Sequence, residues 1–119
     1  MNTLPRYKEA VIPIEKFTQY VLNPEKDTNK ATAFNLALGY KLEHAGILIT
    51  SIRNNLPTHF ATPKGDLGHG MRYEVVMNLT GINGKTARVI TAWIDDKQSG
   101  EMRLTNAYVD KRKGRNSYD

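Results

Sequence analysis

The chain has 119 residues, 17 basic and 12 acidic side chains, a formal net charge of +5 and no cysteine. That length fits one compact domain with a real core, and 39% hydrophobic with 24% charged residues excludes a disordered or membrane-embedded chain on composition. Without cysteine there are no disulfide staples, thiol nucleophiles or cysteine-ligated zinc. The three histidines, His44, His59 and His69, fall into no HxxxH or HExxH spacing, and no nucleotide-cofactor glycine motif is present, so neither a metal nor a cofactor is expected. The N-terminus lacks a signal peptide's apolar stretch, and no run approaches the roughly 20 residues of a membrane span. A basic domain without a membrane signal points to a polyanionic partner.

In chain order, Ile14, Phe17 and Val21 recur at helical spacing after Pro13, and Asn23-Pro24 ends that helix. The spacing predicts a second helix over 29–38, capped by Asp27 or Thr28 and closed by Gly39. Leu42, Ala45, Ile49, Ile52 and Leu56 form the apolar stripe of a third. Residues 58–71 hold glycines, a proline and two histidines and read as a loop with a short strand at 58–61. Alternation then sets in from Arg72 to Thr80. Asn83-Gly84 is a hairpin signal, 86–95 is rich in β-branched residues, and 102–109 makes the last long strand. The fold class is therefore α+β: N-terminal helices (10–57) on one face of a four- or five-stranded antiparallel sheet (58–109), with a basic tail over 110–119, all in one domain.

The other sheet face is free to meet solvent. Tyr73, Val75, Met77 and Leu79 form the inward set of the first long strand. Ile90, Ala92 and Ile94 form that of the second, with Arg88 near the rim, and Met102 and Leu104 that of the third. Arg72, Glu74, Thr91, Trp93, Arg103 and Thr105 are then expected outward, a set of cations, hydroxyls and an indole suited to a phosphate and a stacked base. A one-residue slip would instead turn Trp93 inward. Alternation places Tyr108 with the core. His69, between Gly68 and Gly70, is the candidate acid or base, since imidazole suits proton transfer near neutral pH and flanking glycines permit close approach of a ligand. Lys64 can reach a phosphate from the same loop, His59 is a weaker candidate, and His44 reads as a surface residue.

Several strings are shared with a bacterial domain group. "VIPIEKFTQYVLNPEK", "KATAFNLALGY", "RYEVVMNLTGINGKTARVITAWI" and "RLTNAYV", spanning Ala10 to Val109, resemble polymorphic-toxin C-terminal domains with the barnase–EndoU–colicin–RelE type of fold. The usual proline of that group's turn is Ile82 here. The resemblance implies a metal-independent ribonuclease, often directed at transfer RNA. It also implies an acidic cognate immunity protein, and a place at the C-terminus of a larger effector delivered into the cytoplasm of a target bacterium. Its matching site positions are Arg72, Thr91, Trp93, Thr105 and Tyr108, while the role of His69 rests on chemistry alone.

The expected reaction is transesterification by the ribose 2′-hydroxyl. His69 acts as acid or base; Arg72, with Arg88 or Lys64, stabilises the phosphorane; Thr91 and Thr105 hold phosphate or ribose; Trp93 or Tyr108 stacks a base. The second proton-transfer group is His59, Lys64 or Glu74, and the tail adds salt-dependent affinity. The rival reading is a non-enzymatic nucleic-acid-binding or phage or secretion-system adaptor domain.

Overall fold

The computed structural model describes residues 2–111. Two helices, α1 (Thr28–Leu38) and α2 (Ala45–Asn55), precede four strands, β1 (Ala61–Asp66), β2 (Gly70–Thr80), β3 (Thr86–Asp96) and β4 (Met102–Val109). The strands form one antiparallel sheet in the order β1-β2-β3-β4, with the helices packed against it, so the fold is α+β. The basic tail from Arg112 onward lies outside the described residues.

Local chemistry sets the helix limits. The Asp27 carboxylate accepts the Lys30 N–H at 3.1 Å and starts α1, and Gly39, at φ 77°, closes it. The expected first helix is shorter, a wide turn over Phe17–Val21 in which the Leu22 N–H reaches the Phe17 carbonyl five residues back at 2.9 Å. Short 3₁₀ turns, Leu42–His44 and Leu56–Thr58, flank α2. His44 is no plain surface residue: its Nδ1 accepts the Lys41 N–H at 2.9 Å where that helical segment begins. Ala45, Leu48, Ile52 and Leu56 are the buried stripe, and Ile49 packs beside it.

The helices cover the face made by Tyr73, Val75, Met77 and Leu79 of β2 and their β3 partners Trp93, Thr91, Val89 and Ala87. Phe17, Phe34 and Leu48 are fully buried in this core, each worth about 1.5–3 kcal/mol of transfer free energy. At the β4 edge, the Val11 N–H donates to the Met102 carbonyl and its carbonyl accepts the Leu104 N–H, which shields that edge from further pairing.

Three expectations are corrected. The presumed loop at 58–71 contains a full strand, β1, because an edge strand tolerates Pro63 and absorbs Lys64 in a bulge between Pro63 and Gly65. On β3 the facing is reversed: Val89, Thr91 and Trp93 are buried against the helices, and Ile90, Ala92 and Ile94 face away. On β4 a bulge beside Ala92 and Trp93 switches faces after Leu104. Ala107 is therefore buried in the core, while Tyr108 pairs with Ile90 on the open side.

Candidate functional site

The sheet face opposite Val75, Met77 and Leu79 carries Arg72 and Glu74 of β2, Ile90, Ala92 and Ile94 of β3, and Arg103, Asn106 and Tyr108 of β4, and the first turn of α1 borders it at Asn106 and Tyr108. Two adjoining cavities lie on it. The larger, of about 530 Å³, is lined by Lys30 and Ala33 of α1, Lys64, Glu74, Ile90, Tyr108, Val109, Asp110 and Lys111, together with Asn29. The smaller, of about 180 Å³, is lined by Lys64, Arg72, Tyr73, Glu74, Ala92, Trp93, Ile94 and Thr105. Lys64 and Glu74 belong to both, so they mark the junction of a two-lobed cleft.

Each polar group has a structural reason for its place. Glu74 pairs across β3 with Ala92, whose short side chain leaves room above the sheet. Lys64 is raised by the β1 bulge. Arg72 pins that bulge, donating from Nε to the Gly65 carbonyl at 3.2 Å and from a terminal nitrogen to the Lys64 carbonyl at 2.7 Å. Its remaining N–H groups are left for the smaller lobe. Lys30 donates to Asn106 Oδ1 at 2.8 Å, with the Asp27 carboxylate farther off at 3.6 Å, and lies 5.9 Å from the centre of the Tyr108 ring. Asn106 is itself fixed, because the same oxygen accepts the Ala107 N–H at 2.9 Å. Asp110, its side chain 2% exposed, pairs with Arg88 at 3.6 Å. The Glu74 carboxylate and the Lys64 ammonium make no hydrogen bond or ion pair among the described residues. Among the described residues, the cleft therefore presents one uncommitted carboxylate, Glu74, beside Lys64 and Arg72, with Lys30 and Lys111 at the far side of the larger lobe, over a floor of aliphatic side chains.

The residues expected from the sequence divide clearly. Arg72, Lys64, Thr105 and Tyr108 all line the cleft. Thr91 and Trp93 do not offer their polar groups to it. Thr91 is fully buried, its Oγ1 donating to the Val75 carbonyl at 2.8 Å and accepting the Trp93 indole N–H at 2.8 Å, and Trp93 is 1% exposed. Neither can bind a phosphate or stack a base from there, and both are core residues. Arg88 is on the open face opposite Asn78, but is taken up by Asp110 and is not among the residues lining either cavity.

His59 is also structural. Its Nε2 accepts the Asn78 N–H at 3.4 Å beyond the last β1–β2 pair, which assigns the proton to Nδ1, 2.8 Å from the Asn55 carbonyl. His69 is exposed on the β1–β2 turn, outside both cavities. That turn is organised by Asp66, whose Oδ1 accepts the Gly68 N–H at 2.7 Å and the Gly70 N–H at 3.2 Å. These bonds, first Gly68 and then Gly70, with a smaller contribution from Lys97, hold the Asp66 carboxyl below the ordinary aspartate value. Gly70 is required by a neighbouring strand and not by a ligand: at φ 136°, a Cβ there would fall 1.9 Å from the Asp95 carbonyl oxygen.

Lys30 and Asn106 were not among the residues singled out from the sequence, and Lys111 entered only as part of the basic tail. Lys30 left one readable signal: it stands four residues before Phe34 on the apolar side of α1, where a charge needs a polar partner across the interface.

Over residues 3–111 the chain matches the model of DUF6883, a domain of unknown function. No curated protein and no solved structure matches it.

Proposed function

We propose that this chain, which belongs to the DUF6883 domain family, is a metal-independent endoribonuclease, with Glu74 and not His69 at the centre of its chemistry. One observation carries the reading: the Glu74 carboxylate, without a hydrogen bond or ion pair among the described residues, stands at the junction of two lobes on the open sheet face, with Lys64 and Arg72 lining the same cleft. A carboxylate in that setting is a base placed beside groups that attract and hold a phosphodiester.

In the reaction, Glu74 takes the proton of a ribose 2′-hydroxyl. The 2′-oxygen bonds to the adjacent phosphorus, and the bond from phosphorus to the 5′-oxygen breaks. Lys64, beside Glu74 in both lobes, gives its proton to that leaving oxygen. The products are a 2′,3′-cyclic phosphate and a 5′-hydroxyl. Arg72 and Thr105 face the smaller lobe and donate to the non-bridging oxygens and the ribose.

The toxin resemblance adds the biological setting. Transfer RNA is the substrate class, the domain acts at the end of a larger effector inside a target bacterium, and an acidic immunity protein covers the same basic face. Electrostatic complementarity would speed that association and block substrate together. The test is purified protein incubated with total RNA in EDTA, with end-group analysis. Discrete transfer RNA fragments bearing cyclic phosphate support the reading. Intact RNA at high protein concentration overturns it and favours a binding or adaptor domain.

A further inference from the structure

We infer that the larger lobe is a subsite for a second phosphate of the substrate, adjoining the scissile one, gripped by Lys30 and Lys111. The inference rests on the ribonuclease reading and adds to it a requirement on substrate length.

The two lobes are unequal in the right way. Small-molecule sites span about 300–1,000 Å³; the larger lobe, at about 530 Å³, falls in that range, and the smaller, at about 180 Å³, does not. The smaller lobe holds part of a nucleotide and the larger has room for a whole one, sugar and phosphate included. The larger lobe also has a cationic surplus. Of its two carboxylates, Glu74 stands at the junction beside Lys64, and Asp110 is buried and paired with Arg88, whereas Lys30 and Lys111 arrive from separate elements, α1 and the segment just past the Val109 end of β4.

Lys30 is held in a manner that suits anion binding. Its closest partner is the neutral Asn106 carbonyl oxygen at 2.8 Å, and it also forms an ion pair with the part-exposed Asp27 carboxylate at 3.6 Å. The neutral acceptor fixes the direction of the ammonium, a part-exposed ion pair offsets its charge only in part, and an ammonium has a further donor to give. Asn106 is anchored in turn by the Ala107 N–H. The ring of Tyr108 beside Lys30, with Ile90 and Val109, supplies an apolar wall for the base that accompanies the phosphate. Lys30 and Lys111 thus act on substrate length and not on the bond-breaking step, which lies at the Glu74 and Lys64 junction.

The experiment compares kcat/KM for a bare ribodinucleotide with the same dinucleotide carrying one added terminal phosphate, at the 5′ end or the 3′ end, in EDTA. One of the two added phosphates should raise kcat/KM by about tenfold or more, as a charge-assisted contact allows. In Lys30→Gln, and independently in the exposed-site variant Lys111→Gln, that gain, read as the ratio of kcat/KM with and without the added phosphate within each variant, should shrink. Equal cleavage with and without added phosphate, or a gain that survives the double variant, overturns the inference and leaves the ribonuclease reading standing. A second arm titrates non-cleavable 2′-deoxy versions of the same ligands. If no substrate is cleaved, a phosphate-dependent affinity lost in both variants still upholds the subsite while the catalytic reading fails. No such affinity difference sinks the subsite.

Discussion

Thr91 separates the structural account of β3 from the reading that sends it to the substrate. Its hydroxyl is fully buried and makes two bonds of 2.8 Å, to the Val75 carbonyl and from the Trp93 indole N–H. Thr91→Val preserves shape and strand preference but deletes both. The indole N–H is then left buried without an acceptor, at a cost of about 1–3 kcal/mol, and the bond to Val75 contributes about 1 kcal/mol more. A total of about 2–4 kcal/mol lowers the Tm of a chain this long by roughly 6–20 °C. The assay is thermal or urea unfolding followed by far-UV circular dichroism, a probe that survives removal of Trp93, the single tryptophan. In a Trp93→Phe background the donor is gone, and Thr91→Val should then cost only about 1 kcal/mol, so the cycle reports the coupling. The reasoning is refuted if Thr91→Val leaves Tm within about 2 °C of the native value while RNA cleavage collapses, for Thr91 would then be working in the cleft.

Further outcomes test the turn and the cleft. His69→Ala should cleave RNA at the native rate, because the imidazole lies outside both lobes; a loss of about tenfold or more would restore it as the acid or base. Gly70→Ala should destabilise strongly or abolish folding, judged by circular dichroism, since its Cβ would meet the Asp95 carbonyl oxygen at 1.9 Å and the φ of 136° is hostile to a side chain. Asp66 has a depressed folded pKa, so its contribution to stability is present above the unfolded value near 3.8 and fades as pH falls through the folded one. The difference in urea midpoint between the native protein and Asp66→Asn should accordingly hold at neutral pH and narrow below about pH 4. A gap that widens on acidification contradicts the sign.

What could be read from the sequence follows where a signal was local. Asp27 and Gly39 mark the two ends of α1, and Asn83-Gly84 marks the β2–β3 turn, because caps and tight turns are satisfied within a few residues. The facing of β3 was not legible for a physical reason: from Val89 to Ile94 every residue is apolar or neutral, so a shift of one position costs the pattern nothing. On β4 the alternation held through Met102 and Leu104 and failed only past the bulge, a feature with no signature in the string "LTNAYV". β1 was hidden by Pro63 and Gly65, which mark loops in general but are accepted on an edge. Of the cleft, Arg72, Glu74, Lys64 and Thr105 were recognisable as polar residues near the sheet. The Lys30–Asn106 pair joins positions 76 apart, a contact that only the packing of α1 on β4 creates.

The central claim turns on Glu74→Gln, which removes the base and keeps the shape. RNA cleavage in EDTA and RNA binding should be measured on the same preparation. The account predicts a loss of cleavage of about 10²–10⁴-fold with binding kept or strengthened, because a negative charge leaves a cationic cleft. Cleavage at the native rate by Glu74→Gln contradicts it.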